Sequence, residues 1–283
     1  MSAAPPPRRP AIRPPTPPLL TTQQGDVRWL RLNRPERRNA LNPRLVTAIN
    51  EAIADASRDP DTRIVVITGQ GPSFCAGADL HYLRALADSG DNPGHFLSVV
   101  SDCFTRVERC PKPVIAAVHG HMVAGGLELA LACDVVVAQA ETLIGDGHIL
   151  NGLLPAAGAS LRLPRRVGES LARWLLLSGQ LLPAEAFLPS GFVHAVAPAE
   201  QFDDLLVDVI ERLRRPARFA QVQIKQLLTE TRGLPADDAL THELRTFTRH
   251  WHTTDVADEL AKFANRTNHR LEQHECGDLP TGW

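Results

Sequence analysis

Phe74-Cys75-Ala76-Gly77-Ala78-Asp79 and Ala124-Gly125-Gly126-Leu127-Glu128 decide how this chain reads. Each follows a short β-branched run, Ile64-Val65-Val66-Ile67-Thr68 before the first and Val114-Ile115-Ala116-Ala117-Val118 before the second, and each opens onto helix-forming sequence. A strand that turns directly into a helix leaves N–H groups at its tip without intrahelical partners. Glycine and alanine let a ligand oxygen come close to them. Two such tips facing each other would make an oxyanion hole. The second turn also carries a carboxylate, Glu128, almost one helical turn past Gly125. Its neighbours Leu127, Leu129, Ala130, Leu131 and Ala132 are apolar, which predicts a helix buried all round. A carboxylate there costs free energy unless it has a partner or a task, and burial raises its pKa toward the range of a general acid–base. Each feature taken singly has a plainer reading, since glycine-rich turns are common in α/β proteins and a lone helical glutamate is usually solvated.

Outward from the turns, Val27–Leu32 alternates as a strand and Asn33-Arg34-Pro35 ends it. Asn42 before Pro43 predicts a helix start, with the helix running to about Ser57. Further helix is expected after the first turn and over 95–109, then strands at Val135–Val137 and Thr142–Ile144 and a loop at Gly145-Asp146-Gly147-His148. Beyond Pro164 the pattern is mostly helical, over about 166–177, 184–190, 200–214, 216–231, 236–250 and 255–264. Strands alternating with helices predict an α/β fold with parallel strands. The late helices are expected to pack on that core or on a neighbouring subunit.

The chain has 283 residues, enough for one large core. Its net charge of −2 points away from nucleic acid as a partner. No apolar run approaches the roughly 20 residues that span a bilayer. Five scattered cysteines without a C-x-x-C pair read as reduced thiols of a cytoplasmic protein. Cys75 is expected to be a packing residue, and His119 and His121 to be structural. His269, His274 and Cys276 lack a fourth spaced ligand, so no metal is expected. Eight prolines and three arginines among the first 20 residues predict an extended, disordered tail. The expected organisation is a Pro-rich tail over 1–22, a core over 23–200, a helical region over 201–265 and a flexible tail over 266–283.

Four segments in order give the chain a resemblance to the crotonase (enoyl-CoA hydratase/isomerase) superfamily, from about Trp29 to Phe263. Leu32-Asn33-Arg34-Pro35-Glu36-Arg37-Arg38-Asn39-Ala40-Leu41 resembles the family's first coenzyme-A-contacting segment. Phe74–Leu80 resembles its first oxyanion loop, and Pro113–Gly120 leads into its second. Glu128 falls on its first catalytic glutamate. The resemblance implies a β-β-α spiral core with a C-terminal helical region, and a thioester oxygen held by the N–H groups of Ala78 and Gly125. It further implies substrate contacts at Arg38, Ala40, Leu41, Ala76, Asp79 and Leu80. The implied substrate is an acyl-CoA or an acyl carrier protein thioester, coenzyme A arriving as part of the substrate and no other cofactor being needed. A homotrimer or dimer of trimers is implied, with C-terminal helices completing a neighbour's site, although Lys262 and Phe263 match that closing segment only weakly.

The pattern departs from the family at its second catalytic glutamate, where this chain has His148. Three readings stay open. His148 replaces that glutamate as the acid–base partner, its ordinary pKa suiting the task. Glu128 works alone, as in an isomerase or in hydrolysis, decarboxylation or C–C bond chemistry. Or the chain binds acyl thioesters without rapid turnover. Asp146 is expected to form the loop turn in preference to orienting the imidazole.

Overall fold

The computed structural model describes residues 16–253 and 256–263. Its central sheet has six strands: β1 (Leu19–Gln24), β2 (Val27–Leu32), β3 (Ile64–Gly69), β4 (Val114–Val118), β6 (Val135–Gln139) and β9 (Ala195–Ala197). β1 pairs antiparallel with β2, and every other neighbour is parallel. A second sheet joins β5 (His121–Val123), β7 (Leu143–Gly145) and β8 (Leu182–Pro183).

The β-branched strands are buried on both faces, as parallel strands must be. Alternate residues divide between two apolar layers. Val65, Ile67, Val114, Ala116 and Val118 pack with α1 (Pro43–Arg58) and α3 (Gly94–Glu108). Ile64, Val66, Ile115 and Ala117 pack with α7 (Phe202–Arg214) through Phe202, Leu206, Val209 and Ile210. Each such side chain contributes about 1.5–3 kcal/mol on leaving water. α1 begins as expected, Pro43 standing first and the Asn42 side chain accepting from Leu45 N at 3.0 Å.

The chain departs from the expected elements where local signals are short. β1 starts at Leu19, inside the stretch expected to be tail, because the prolines end at Pro18 and Leu19 reaches the core. Residues 1–15 of that tail, and the whole of 266–283, lie outside the described residues. One expected helix over 166–177 is two, α5 (Ala159–Val167) and α6 (Glu169–Ser178), separated by Gly168 at φ +83°. Pro164 sits inside α5, where burial of Arg162 and Leu163 offsets the one backbone bond it removes. The helix expected over 184–190 is a single 3-10 turn at Ala184–Phe187. β5, β8 and β9 have two or three residues each, too few to show alternation.

α8 (Arg218–Glu230), α9 (Ala236–Thr253) and a last helix over 256–263 follow α7. They leave Ile224, Leu228, Leu244, Phe247 and Trp251 about half exposed or more. No helix among the described residues is long and apolar enough to cross a membrane.

Candidate active site

The first glycine turn is stitched into place on two sides. Cys75 N donates to His121 O at 3.0 Å and Val123 N to Cys75 O at 3.0 Å, joining it to β5. Leu41 N donates to Gly77 O at 2.7 Å and Asp79 N to Leu41 O at 2.8 Å, joining it to the 33–41 segment. Ala78 N lies between these bonds and donates to no backbone group among the described residues. The turn ends in α2 (Leu80–Asp88), capped by Asp79, whose Oδ1 accepts from His81 N at 3.1 Å and Tyr82 N at 3.4 Å.

The second turn runs from β5 through Ala124, at φ 51° and ψ −119°, into α4 (Gly125–Leu131). Gly125 N is the first helical N–H and donates to no backbone group among the described residues. A Cβ added at Gly125 would lie 2.8 Å from Leu41 Cδ1 and 3.6 Å from Ala78 N, so glycine keeps the space between the two turns open. Packing holds the turns together from behind as well, since a Cβ at Gly126 would meet Cys75 O at 2.2 Å.

Leu41, Ala78, Gly125, Glu128 and His148 border one cavity of about 60 Å³. Leu83 of α2 and Phe96, Leu97 and Val100 of α3 form its apolar wall. Glu128 is 3% exposed, and its Oε1 accepts from Ala157 N at 2.8 Å and Ala159 N at 3.1 Å. Its Oε2 faces His148 Nε2 at 3.9 Å. On the far side of the ring, His148 Nδ1 lies 3.0 Å from Asp146 Oδ1. Asp146 therefore holds the imidazole, and its Oδ2 also accepts from His148 N at 3.4 Å, so it serves both roles weighed for it.

Burial pushes the Glu128 carboxyl above its ordinary value, against the opposing pull of the Ala159 and Ala157 amides and of His148. Burial alone would lower His148. The hydrogen bond that His148 Nδ1–H donates to Asp146, with the negative charges of Asp146 and Glu128, outweighs it and raises the imidazole instead. Both groups therefore hold a proton to higher pH than they would in water, and the two titrate as a coupled pair.

The other predicted residues do not border the cavity. Asp79 is locked by Arg34, whose Nη2 lies 2.8 Å from Asp79 Oδ2 while Nη1 donates to Ala40 O. Burial works to raise Asp79, but its bonds to Arg34 and to the Tyr82 and His81 amides hold it below the usual carboxylate range. Arg38, at φ 47°, is exposed, as is Leu80; Ala76 N donates to Arg38 O at 3.0 Å. Together they form the rim between the 33–41 segment and the first turn. Cys75 is fully buried with its thiol pushed up to about 12, which suits packing and not attack on a substrate. His119 Nε2 meets Gly71 O at 2.9 Å and His121 Nδ1 meets Ser73 Oγ at 3.3 Å, both structural contacts. Sequence reasoning missed the Ala157 and Ala159 amides, which have no side-chain signature; the adjacent Gly158 was their one visible sign.

A family model described as enoyl-CoA hydratase/isomerase matches residues 22–274. A 2,3-dehydroadipyl-CoA hydratase from Escherichia coli is 32% identical over 88% of this chain and 96% of its own length. Among solved structures, an enoyl-CoA hydratase from Polaromonas superposes with a TM-score of 0.83 at 32% identity, over 88% of this chain and 97% of that one. One from Bacillus anthracis gives 0.83 at 27% identity, over 88% and 96%. The chain belongs to the enoyl-CoA hydratase/isomerase family and has the crotonase fold. It is accordingly an acyl-CoA-processing enzyme of the hydratase/isomerase type.

Proposed function

We propose that the enzyme adds water to a 2-enoyl-CoA, with Glu128 and His148 as the acid–base pair. The observation behind this reading is the 3.9 Å separation of Glu128 Oε2 and His148 Nε2, with Asp146 fixing the ring from behind. A water with one hydrogen bond to each atom fits that span. The thioester oxygen accepts from the Ala78 and Gly125 N–H groups, which stabilise the enolate as it forms; a donor of this kind is worth roughly 3–4 kcal/mol in other enzymes.

Glu128 takes a proton from water as its oxygen bonds to the β-carbon. The double-bond electrons move toward the thioester carbonyl, and the imidazolium of His148 gives its proton to the α-carbon. Protonated Glu128 then returns the proton to His148, and both groups are as they began. Coenzyme A enters as the substrate's own handle, passing the rim where Arg38 and Leu80 are exposed, and the step needs no other cofactor. An acyl carrier protein thioester presents the same reacting atoms.

The same reading has a homotrimeric or hexameric assembly in which a second copy covers the apolar face of α8 and α9 within the 201–265 region. That face and the one bearing Leu150, Trp174 and Leu177 are both apolar and are unlike surfaces, so pairing one with the other is a head-to-tail contact, the kind from which cyclic assemblies are built. Cys75, Cys103, Cys110 and Cys133 are free thiols, which supports a cytoplasmic location.

Purified enzyme is incubated with 2-enoyl-CoA and 3-enoyl-CoA of short and medium length, and products are read by mass. A product heavier by one water is expected from the 2-enoyl substrates. Exchange between the two enoyl isomers without hydration would instead mean that Glu128 works alone as an isomerase base. Free acid or loss of carbon dioxide from a suitable thioester would select hydrolysis or decarboxylation.

A further inference from the structure

We infer that Arg162 is a positioning residue for Glu128, working through the Ala157–Gly158–Ala159 turn, and that Glu108 anchors it. The inference deepens the reading above and rests on Glu128 as the acid–base group.

Ala157 is the shared element. Its N–H donates to Glu128 Oε1, while its C=O accepts from Arg162 Nη1 at 2.8 Å. Gly158 stands at φ +115°, a backbone region that side chains rarely adopt, and a Cβ there would lie 2.0 Å from Arg162 Nη1. The guanidinium thus presses its Nη1 end against the turn, in room that only glycine leaves. The turn then presents Ala159 N as the second donor to Glu128.

The other edge of the guanidinium is fixed just as firmly. Arg162 Nε and Nη2 donate to Glu108 Oε2 at 3.1 and 2.9 Å, and Nη2 reaches Thr105 Oγ1 at 3.4 Å. The second oxygen of Glu108 pairs with Arg232, in the segment between α8 and α9. Arg162 is 7% exposed, so its position is dictated by these bonds. A planar fork that serves a carboxylate on one edge and a carbonyl on another is available to arginine and not to lysine. The result is a relay from the end of α3, through α5, to the carboxylate on α4.

The two amides favour the ionised form of Glu128 and oppose burial. The charged or titratable groups facing Glu128 are His148, which helps them, and Asp146, which opposes them. If the turn relaxes, Glu128 loses both donors, holds its proton to higher pH and is displaced from its working geometry.

The test uses the full chain with ¹³C-carboxyl-labelled glutamate, following the Glu128 titration by NMR together with kcat and KM against pH. In Arg162→Met, the Glu128 midpoint and the acid limb of kcat should both rise by roughly one pH unit, with the basic limb in place. At neutral pH kcat should fall about tenfold or more, and KM should change by less than about twofold. Arg162→Lys should recover only part of the loss. Glu108→Gln keeps an acceptor but removes the charge, and should shift both measures upward by a smaller amount. If folded Arg162→Met leaves the Glu128 midpoint and the acid limb where they are, the inference is overturned, whatever happens to Tm. If Arg162→Met does not fold, Glu108→Gln decides by the same criterion. Retained turnover in Glu128→Gln would sink the catalytic reading, while the NMR titration would still decide the role of Arg162.

Discussion

The two glycine turns each bury a carboxylate, and the two carboxylates have opposite fates. Asp79 ends the first turn against the Arg34 guanidinium, and its charge is stabilised. Glu128 follows the second turn with two amides, a histidine 3.9 Å away and no Arg or Lys bonded to it among the described residues, and its charge is penalised. Burial acts on both in the same direction, so the partner decides. A paired carboxylate is architecture, holding the 33–41 segment against the turn. A carboxylate left between protonated and ionised is available for proton transfer.

The sharpest way to break this contrast is Glu128→Gln, which keeps the shape and removes the proton acceptor. Turnover of a 2-enoyl-CoA should fall by about 10²–10⁴-fold. Full activity, measured by loss of the conjugated enoyl absorbance, would end the proposed mechanism. Next in size is His148→Ala, expected to cost about 10²-fold in hydration. His148→Glu should restore much of that rate and move the working range to lower pH. If it behaves like His148→Ala, the imidazole does something a carboxylate cannot.

The pH profile carries the same logic. Catalysis needs ionised Glu128, so activity rises as pH climbs through its elevated folded value. It also needs protonated His148, so activity falls again as pH passes the raised folded value of the imidazole. A bell displaced upward at both limbs from the ordinary carboxylate and imidazole ranges is expected in kcat/KM.

On the architectural side, Arg34→Met leaves Asp79 buried and uncompensated, with a stability cost of about 3 kcal/mol in denaturant unfolding. Asp79 has a depressed folded pKa. Its contribution is therefore full above its usual value near 3.8 and is lost as pH falls through the folded value. Glu128 has the opposite sign, since the folded state keeps a proton that the unfolded chain releases near 4.5. Its ionisation subtracts stability as pH rises from there toward the folded value. The smallest expected effect follows: Glu128→Gln should raise neutral-pH stability on the order of 1 kcal/mol while abolishing turnover. An unchanged or lower Tm would mean that Glu128 is better accommodated as an ion than its surroundings indicate.

Much of the molecule was legible beforehand because its signals are local. Asn42 and Pro43 announce α1 through capping chemistry, and the β-branched runs at 64–68 and 114–118 announce buried parallel strands. The two turns and the lone Glu128 could be read from glycine placement and apolar neighbours. What stayed hidden depended on contacts between residues distant in sequence. β5, β8 and β9 are too short for periodicity and exist only because a neighbour supplies the other half of each ladder. The split of α5 from α6 was hidden because Pro164 suggested a boundary that the buried Arg162 and Leu163 override. Asp146 was expected to shape its loop, and only the folded loop turns its carboxylate onto His148 Nδ1.

Local signals in the chain specify the parallel strand framework, the two turns and the carboxylate after the second, because hydrophobic pattern, capping and glycine positions are written residue by residue; the family is legible only through the resemblance of four segments in order. Tertiary structure alone decided which carboxylate is free to react. The distances from Glu128 to the Ala157 and Ala159 amides, from His148 to Glu128, and from Arg162 to the turn that carries those amides arise only when α3, α4, α5 and the loop after β7 meet. Proton affinity is set by that neighbourhood and not by residue identity.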